Sequence, residues 1–219
     1  MTIVYLIRHS VRMPLNCIET YNSNQSGTLK NEKIILSVLG EKRAEILSNE
    51  KELQNIDVVY TSNCVRTIQT AKYILEKQNL NVNIDDRFDE RRIGLINDHA
   101  VSDWFERQYY DENYKTVNGE SQKDVKERFK EAFDEVIKNH KDKRIAIFSH
   151  GYAITFFLLN YCKIKNIIGR RLVYEYNGKI ILDKELNAPE VFKLILDDNN
   201  NVINIELIEF DDLPYNHGV

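Results

Sequence analysis

The stretch Ile3-Val-Tyr-Leu-Ile-Arg-His-Ser10 joins a short apolar run to a polar turn, and it decides how the chain folds. Five consecutive apolar residues, rich in β-branched side chains, are typical of a buried strand in a parallel sheet. Similar strands are predicted at residues 57–60, 82–84 and 144–148, with apolar residues at helical spacing between them. Strands alternating with helices predict an α/β fold, a three-layer α/β/α domain with a mostly parallel central sheet.

The length of 219 residues fits one domain with a real core, and we expect residues 1–219 to form a single catalytic domain. The end of the chain predicts a hairpin, because two apolar runs flank the polar turn at residues 197–201. The other predicted elements are helices near 36–47, 65–75 and 125–137, a helix from about Tyr152, and the hairpin strands 191–196 and 202–208.

Charge and cysteine usage restrict the possible partners and location. The net charge of −4 argues against a nucleic-acid partner, so an anionic substrate would need cations gathered in one pocket. Cys17, Cys64 and Cys162 show neither a disulfide framework nor a zinc spacing, which favours a reducing compartment. Every apolar run is too short to cross a bilayer. We therefore expect a cytoplasmic protein without a membrane partner.

Polar clusters follow three of the predicted strands at the point where each strand ends. They are Arg8-His9-Ser10, Thr61-Ser62 leading to Arg66, and Ser149-His150-Gly151. In a parallel sheet, ligands bind beyond the carboxyl ends of the strands. A single histidine in such a place is usually structural, but two histidines and two arginines at one rim favour a functional site.

These residue types suit phosphoryl transfer. Catalysis of this reaction is largely positioning and electrostatic stabilisation, and the planar fork of arginine matches phosphate oxygens. A neutral histidine can be the nucleophile, while a second, protonated histidine can stabilise the charge on the phosphoryl oxygens. A carboxylic acid is needed to protonate the leaving alcohol, and the resulting carboxylate can later activate water.

Several blocks of sequence resemble one known family. Leu6-Ile-Arg-His9 resembles the LxRHG opening of the histidine phosphatase superfamily, which includes the cofactor-dependent phosphoglycerate mutases. Further blocks resemble those of the family and occur in family order: 36–40 (LxxxG, the start of a helix), 61–71 (SPxxRAxQTA), 90–94 (ERxxG), 119–121 (GES) and 149–151 (SHG). Each block alone is unspecific, but together they indicate the mutase-like branch of this family.

The resemblance implies a role for each of these polar residues. His9 would be the phosphorylated nucleophile, Arg8, Arg66 and His150 would form the phosphate pocket, and Glu90 would be general acid and then base. It also implies a small phosphorylated metabolite as substrate. We expect no metal or cofactor, because Arg8, Arg12, Arg66 and a protonated His150 would already supply the positive charge that a metal ion provides.

The chain departs from the family pattern beside the nucleophile. Ser10 replaces the usual glycine, and a backbone that needed a positive φ would be strained there. Arg12 replaces the usual serine or threonine, and the segment 8–14 resembles the RHGxRxP opening of the acid-phosphatase branch, whose second arginine also contacts phosphate. That branch has a His-Asp motif, whereas here Gly151 follows His150. We therefore expect a mutase-like protein in which Arg12 adds a phosphate contact.

Substrate specificity is expected in residues 16–33 and 95–118. The second stretch is aromatic, and its side chains either close over an organic leaving group or pack against the sheet. It is short and has only Arg107 and Lys115 as cations, so it offers no clear clamp for the carboxylate of phosphoglycerate. We therefore expect a phosphatase. The alternatives are a phosphoglycerate mutase-type phosphotransferase and a catalytically degenerate protein that binds a phosphorylated ligand.

Overall fold

The computed structural model describes residues 1–14, 31–94 and 104–218, so most of the predicted loop at 16–33 and the start of the 95–118 segment lie outside the described residues. The described strands are β1 (Thr2–Arg8), β2 (Val58–Thr61), β3 (Val82–Ile84), β4 (Arg144–Ser149), β5 (Lys163–Ile168), β6 (Arg171–Tyr176), β7 (Lys179–Lys184), β8 (Val191–Leu196) and β9 (Val202–Ile208). The helices are α1 (Val38–Leu47), α2 (Val65–Gln78), α3 (Trp104–Tyr110), α4 (Gln122–Asn139) and α5 (Gly151–Leu158).

Six strands form the central sheet in the order β3-β2-β4-β1-β8-β9. The pairings from β3 through β2 and β4 to β1 are all parallel. Strand β8 runs antiparallel to β1, and β9 returns antiparallel to β8. Five of the six strands therefore point the same way, which confirms the predicted mostly parallel sheet and the hairpin at the end of the chain.

The sheet is buried on both faces, as the continuous apolar run at the start of the chain predicts. Alternate residues of β1 enter different cores: Val4 and Leu6 pack on the side of α4 and α5, while Tyr5 and Ile7 pack on the side of α1 and α2. All four side chains are fully buried. Because successive side chains of a strand point to opposite faces, only a strand covered on both faces is apolar throughout.

A second sheet of three antiparallel strands, in the order β5-β6-β7, was missed in the sequence. Charged residues interrupt its apolar pattern, and β5 has a single buried position, Ile167. The available signal was Asn177-Gly178, a dipeptide typical of tight hairpin turns, and both residues have a positive φ here. Buried residues of β6, among them Leu172 and Tyr174, join the core beside α5.

Among the described residues, no helix is both long enough and apolar enough to span a bilayer.

Candidate active site

The carboxyl ends of three neighbouring strands bring the predicted polar clusters to one edge of the sheet. Arg8 at the end of β1 pairs in register with Ser149 at the end of β4. Thr61 at the end of β2 pairs with Phe148 of the same strand β4. As a result the imidazole rings of His9 and His150 lie edge to face, with 5.2 Å between ring centroids.

His9 is held as a neutral imidazole. Its side chain is buried, and its backbone N–H donates to the carbonyl of Ser149 at 2.9 Å. Burial, followed by the charges of Arg66 and Arg8, holds the pKa of His9 well below its usual range. Its Nδ1 lies 2.7 Å from the carbonyl oxygen of Ser10, which can only accept, so the proton resides on Nδ1. The lone pair of Nε2 is therefore available for attack.

His150 is also neutral in this arrangement, which corrects the sequence-based expectation of a protonated ring. Its Nδ1 lies 2.8 Å from Nη2 of Arg66, a group that can only donate, so Nδ1 accepts. The proton is then on Nε2, which donates to Oγ of Ser62 at 2.8 Å. Burial, and after it the charge of Arg66, holds the pKa of His150 well below its usual range.

Arg66 is positioned by α2 and by Asn31. The side chain is 2% exposed. Its Nη1 donates to the backbone carbonyl of Asn31 at 2.7 Å, and its Nη2 lies 3.3 Å from the Asn31 side-chain oxygen. Asn31 has no recognisable motif around it, so sequence patterns offered no reason to select it.

Arg8 is anchored by backbone carbonyls from the far end of the chain. Nη1 donates to the carbonyls of Leu186 and Asn187 at 2.9 and 3.0 Å, and Nη2 donates to the carbonyl of His217 at 3.1 Å. The side chain also lies beside Gly151, since a Cβ built there would be 3.5 Å from Nε of Arg8. Arg8 is thereby fixed next to the turn that carries His150.

Asn187 connects this anchor to the last residues of the chain. Its amide nitrogen donates to the carbonyl of Leu213 at 3.1 Å, and its amide oxygen accepts from the backbone N–H of Asn216 at 2.8 Å. The same oxygen accepts from Nη2 of Arg43, which lies on α1. Asn187 is buried, so these bonds are shielded from water. Its role could not be read from the sequence, because its partners are mostly backbone groups far away along the chain.

The Nε atoms of Arg8 and Arg66 are buried and have no hydrogen-bond partner among the residues that the structure describes. A buried N–H donor without a partner is unfavourable by about 1–3 kcal/mol. Both guanidinium groups lower the pKa of His9, after burial, so both stand close to its imidazole. Two unsatisfied cationic donors side by side are what an anion with several oxygens requires.

Arg12 adds a third positive charge to this region. It forms an antiparallel bridge with Leu36, which places it in the loop beside α1. Its pKa is lowered by burial and then by the nearby charges of Arg66 and Arg170. Arg170 stands in the turn between β5 and β6, an element that the sequence analysis missed. The mutual repulsion of these cations would be relieved by a bound anion.

Glu90 is oriented by backbone donors. One carboxylate oxygen accepts from the N–H of Arg91 at 2.9 Å and from the N–H of Ala153 at 3.1 Å. Ala153 lies in the first turn of α5, the helix that begins directly after His150. The same helix end therefore positions both Glu90 and His150. The charge of Glu90 also acts on Arg8 and Arg12, which places the carboxylate on the arginine side of the site.

The segment that carries Glu90 is fixed by the GES block. Ser121 caps α4 in a capping box with Asp124. The neighbouring Glu120 is buried, accepts from the backbone N–H of Arg92 at 2.9 Å and pairs with Nε of Arg128 at 2.9 Å. This block therefore acts on the candidate acid indirectly, by holding residues 91–92.

Asp89, the residue directly before Glu90, carries a second carboxylate in this region of the site. Its Oδ1 accepts from the backbone N–H of Asn63 at 2.7 Å. Burial raises the pKa of Asp89 to about 6. A carboxyl group that titrates near neutral pH suits general acid catalysis, so Asp89 is a rival to Glu90 for this role.

A cavity of about 800 Å³ opens beside the two carboxylates. His9 and His150 are not among its lining residues, but Asn31, which accepts from Arg66, is one of them. Most of the lining residues are polar or carry charges of either sign, while Ile93 and Gly94 add apolar surface; the described members include Asn31, Glu32, Asp86, Arg87, Asp89, Glu90, Arg91, Arg92 and Arg128.

Ser10 fits without backbone strain. It is fully buried and is not among the residues with a positive φ, so glycine is not required at this position. Its N–H donates to Oγ1 of Thr70 at 3.0 Å, and its hydroxyl donates to the carbonyl of Gly40 at 2.8 Å. Glycine is required instead at the partner residue Gly40, where a Cβ would lie 2.0 Å from the carbonyl oxygen of Val11.

The aromatic stretch has a packing role in the part that the structure describes. Tyr109 of α3 is buried against Tyr152 and Phe156 of α5, with ring centroids 6.3 and 5.1 Å away. Arg107 stacks on the ring of Tyr114 at 4.7 Å. Residues 95–103 lie outside the described part of the chain.

Comparisons with known proteins identify relatives of this chain. Phosphoserine phosphatase 1 from Hydrogenobacter thermophilus is 33% identical over 123 residues, covering 52% of this chain and 58% of that protein. The probable phosphoglycerate mutase GpmB from Yersinia enterocolitica is 26% identical over 127 residues, covering 54% of this chain and 59% of that protein. The chain thus spans little more than half the length of the curated relatives it matches.

Solved structures share the fold over nearly the whole chain. A phosphoserine phosphatase from Entamoeba histolytica in complex with 3-phosphoglyceric acid superimposes with a TM-score of 0.65 at 16% identity, covering 97% of this chain and 100% of that one. A mycobacterial glucosyl-3-phosphoglycerate phosphatase in complex with VO3 also gives a TM-score of 0.65, at 18% identity, covering 95% and 98%.

The family model described as "Histidine phosphatase superfamily (branch 1)" matches residues 4–191, from β1 to the start of β8. This range contains the three strand ends, both buried histidines and both carboxylates. The chain therefore belongs to branch 1 of the histidine phosphatase superfamily.

Proposed function

We propose that this protein hydrolyses a small phosphate monoester through a phosphohistidine formed at His9. The observation that carries the proposal is the neutral, buried imidazole of His9, whose Nδ1 is fixed by the carbonyl of Ser10. Two arginine Nε donors without partners among the described residues stand close by. Family membership and the phosphatases among the matched proteins support the same reaction.

The first step transfers the phosphoryl group to the enzyme. The lone pair of Nε2 of His9 attacks phosphorus, and the bond from phosphorus to the ester oxygen breaks. The proton on Nδ1 stays hydrogen-bonded to Ser10, which stabilises the positive charge that the ring acquires. Arg8, Arg66 and Arg12 stabilise the phosphoryl oxygens, and Glu90 gives its proton to the leaving oxygen.

The second step releases phosphate. Water attacks the phosphorus atom of phosphohistidine and passes a proton to the carboxylate of Glu90, so His9 returns to its neutral form. His150 can change its protonation during this cycle. A dianionic phosphoryl group beside the ring favours the imidazolium form, and Nη2 of Arg66 is then free to turn from His150 to phosphate.

Hydrolysis is favoured over mutase chemistry by the arrangement of residues 104–118. A mutase must hold a carboxylated intermediate and keep water away from the phosphoenzyme. The two cations of this stretch are engaged elsewhere: Arg107 stacks on Tyr114, and Lys115 lies 3.3 Å from Asp124. The described residues therefore supply no carboxylate clamp from this stretch.

The substrate class follows from the cavity beside Glu90. Most of the residues that line it are polar or charged, and its volume of about 800 Å³ accommodates a small metabolite. A small polar phosphate ester fits such a surface better than an apolar aryl compound. A phosphorylated hydroxy acid or amino acid is the first class to test.

The test is phosphate release from a panel of phosphorylated metabolites, measured beside the conversion of 3-phosphoglycerate to 2-phosphoglycerate with and without bisphosphoglycerate. Quenched enzyme should carry an acid-labile, alkali-stable phosphate that is lost in His9→Ala and kept in His140→Ala. His140 is a suitable control because it pairs with Tyr60 away from the site. Mutase turnover as fast as phosphate release would favour the mutase alternative. Binding of phosphate without any turnover would favour the binding-only alternative.

A metal ion is not expected to take part, because the arginines already supply positive charge at the phosphoryl group. Activity should therefore persist in EDTA. Loss of activity in EDTA, with recovery on adding magnesium, would contradict this expectation.

A further inference from the structure

Three side chains with different metal-ligating atoms converge between the phosphate pocket and the cavity. Sγ of Cys64, a carboxylate oxygen of Asp89 and a ring nitrogen of His150 all lie within 4.8 Å of one another. Cys64 and His150 are fully buried. None of the family blocks accounts for a cysteine here, because Cys64 stands at a variable position of the second block, between Ser62 and Arg66.

Hydrogen bonds to the turn between β2 and α2 hold these three side chains in place in the absence of a metal ion. The N–H of Cys64 donates to Oγ of Ser62 at 3.2 Å, and that hydroxyl also bonds His150 at 2.8 Å. The carboxylate of Asp89 accepts from the N–H of Asn63, the residue directly before Cys64. The short turn between β2 and α2 therefore positions all three ligands, and a preformed set lowers the entropic cost of binding.

We propose that Cys64, Asp89 and His150 form an inhibitory site for a thiophilic divalent cation such as Zn²⁺ or Cd²⁺. The proposal rests on the proposed function, because His150 is assigned to the phosphate pocket.

The donor set selects the ion. Thiolate, carboxylate and imidazole are all ligands that zinc accepts, with ligand bonds of about 2.0–2.3 Å, and a site with three protein ligands leaves a fourth position open to water. Sγ of Cys64 and Oδ1 of Asp89 are 4.0 Å apart, so small side-chain shifts close the site. Magnesium and calcium prefer oxygen ligands and are poorly served by a thiolate.

The charges of the ligands offset the charge of the buried ion. A thiolate and a carboxylate together neutralise a divalent cation, so the complex brings no net charge into the protein interior. Asp89 also lines the large cavity, which gives the ion a path from solvent. Two factors oppose binding. Burial raises the pKa of the Cys64 thiol to about 11, so the metal must displace a proton from Sγ to solvent. In addition, Nη2 of Arg66 lies 2.8 Å from Nδ1 of His150.

Inhibition follows from the use of His150 as a ligand. Both ring nitrogens of His150 are engaged, with Ser62 and with Arg66. A metal must displace one of these partners, which turns the ring or releases the arginine. Either change disrupts the pocket next to His9, so metal binding and phosphoryl transfer exclude each other.

The experiment measures binding and inhibition separately on the EDTA-treated, desalted full chain. Titration with Cd²⁺ should produce the ultraviolet thiolate–cadmium absorption at one equivalent, and Zn²⁺ should compete for it. Zn²⁺ should also inhibit hydrolysis of an aryl phosphate, while Mg²⁺ should not. The key variant is Cys64→Ser, with Cys162→Ser as the matched control, since Cys162 is another buried free thiol.

We expect the absorption band and the inhibition in the parent chain and in Cys162→Ser. In Cys64→Ser the band should be absent and the inhibition weakened by about tenfold or more, with basal hydrolysis unchanged. A band in Cys64→Ser, or Zn²⁺ inhibition of the same strength, would overturn the site. If Cys64→Ser does not fold, Asp89→Asn must weaken cadmium binding, and unchanged binding there overturns it equally. The cadmium band does not depend on turnover, so a chain that hydrolyses nothing still tests this site.

Discussion

Replacement of Ser10 tests whether the residue beside the nucleophile supports the fold without limiting the chemistry. Its hydroxyl donates to the carbonyl of Gly40 at 2.8 Å. Ser10→Ala removes this buried hydrogen bond, worth about 0.5–1.5 kcal/mol. Ser10→Gly removes the same bond and adds backbone freedom that disfavours folding by about 0.5–1 kcal/mol. Ser10→Gly should therefore lower the free energy of unfolding by about 1–2.5 kcal/mol.

The assay for Ser10 combines denaturation with kinetics. Urea unfolding should rank the parent chain above Ser10→Ala and Ser10→Gly last, and Tm should fall by roughly 2–4 °C per kcal/mol for a chain of this size. Hydrolysis of an aryl phosphate should stay within a few fold, because Nδ1 of His9 contacts the backbone of residue 10 and not its side chain. Ser48→Ala is the control, since it removes another buried hydroxyl bonded to a carbonyl, that of Glu45.

Two results would refute this reasoning about Ser10. Ser10→Gly as stable as the parent chain would mean that the hydroxyl contributes nothing to folding. A rise in activity of tenfold or more in Ser10→Gly would mean that serine restrains catalysis, and it would strengthen the binding-only alternative.

Three further predictions concern the acid, the arginine anchor and pH. Glu90→Gln retains an oxygen for its backbone donors but cannot give a proton. The rate of hydrolysis of alkyl phosphates should therefore fall by about 10²–10⁴-fold, and that of activated aryl phosphates far less. Equal losses on both substrates would transfer the role of general acid to Asp89, which Asp89→Asn would test. Asn187→Ala should raise KM and the vanadate inhibition constant about tenfold, with a smaller change in kcat, because Arg8 is then held less firmly. A lower Tm with unchanged KM would show that Asn187 has a purely structural role. Burial holds the pKa of His9 below its usual range, so the unfolded chain gains a proton near pH 6.5 that the folded chain does not. The free energy of unfolding should therefore fall as pH drops from 7 to 5, and less steeply in His9→Gln; identical slopes would contradict a neutral His9.

The pattern of apolar residues along the sequence was sufficient to predict the strands of the central sheet and the positions of the candidate site residues along the chain. The run at residues 3–7 predicted β1, and the runs at 57–60 and 144–148 predicted β2 and β4 to within one residue at each end. A strand that is buried on both faces is apolar at every residue, so it can be recognised in the sequence, and parallel pairing brings the carboxyl ends of these strands together. The order of the motif blocks also predicted the family, which the match over residues 4–191 confirms.

Local pattern failed where strands are short, charged or only partly buried. The sheet of β5, β6 and β7 carries lysines and arginines on its open face, so its apolar alternation is weak, and its best signal was the single Asn177-Gly178 turn. The placement of Arg170 beside Arg12 depends on that sheet and was therefore missed with it.

The sequence by itself determined the fold class, the family and the candidate nucleophile His9, because these depend on apolar periodicity and on residue types at strand ends. Only the tertiary structure decided the hydrogen-bonding state of the site. Arg8 is held by carbonyls 178, 179 and 209 residues away along the chain, and His150 is neutral because Arg66 donates to it. Every residue carries a backbone carbonyl, so residue identity cannot show which ones Arg8 meets. A histidine has the same letter in either protonation state, and its burial and its neighbours determine which state it adopts.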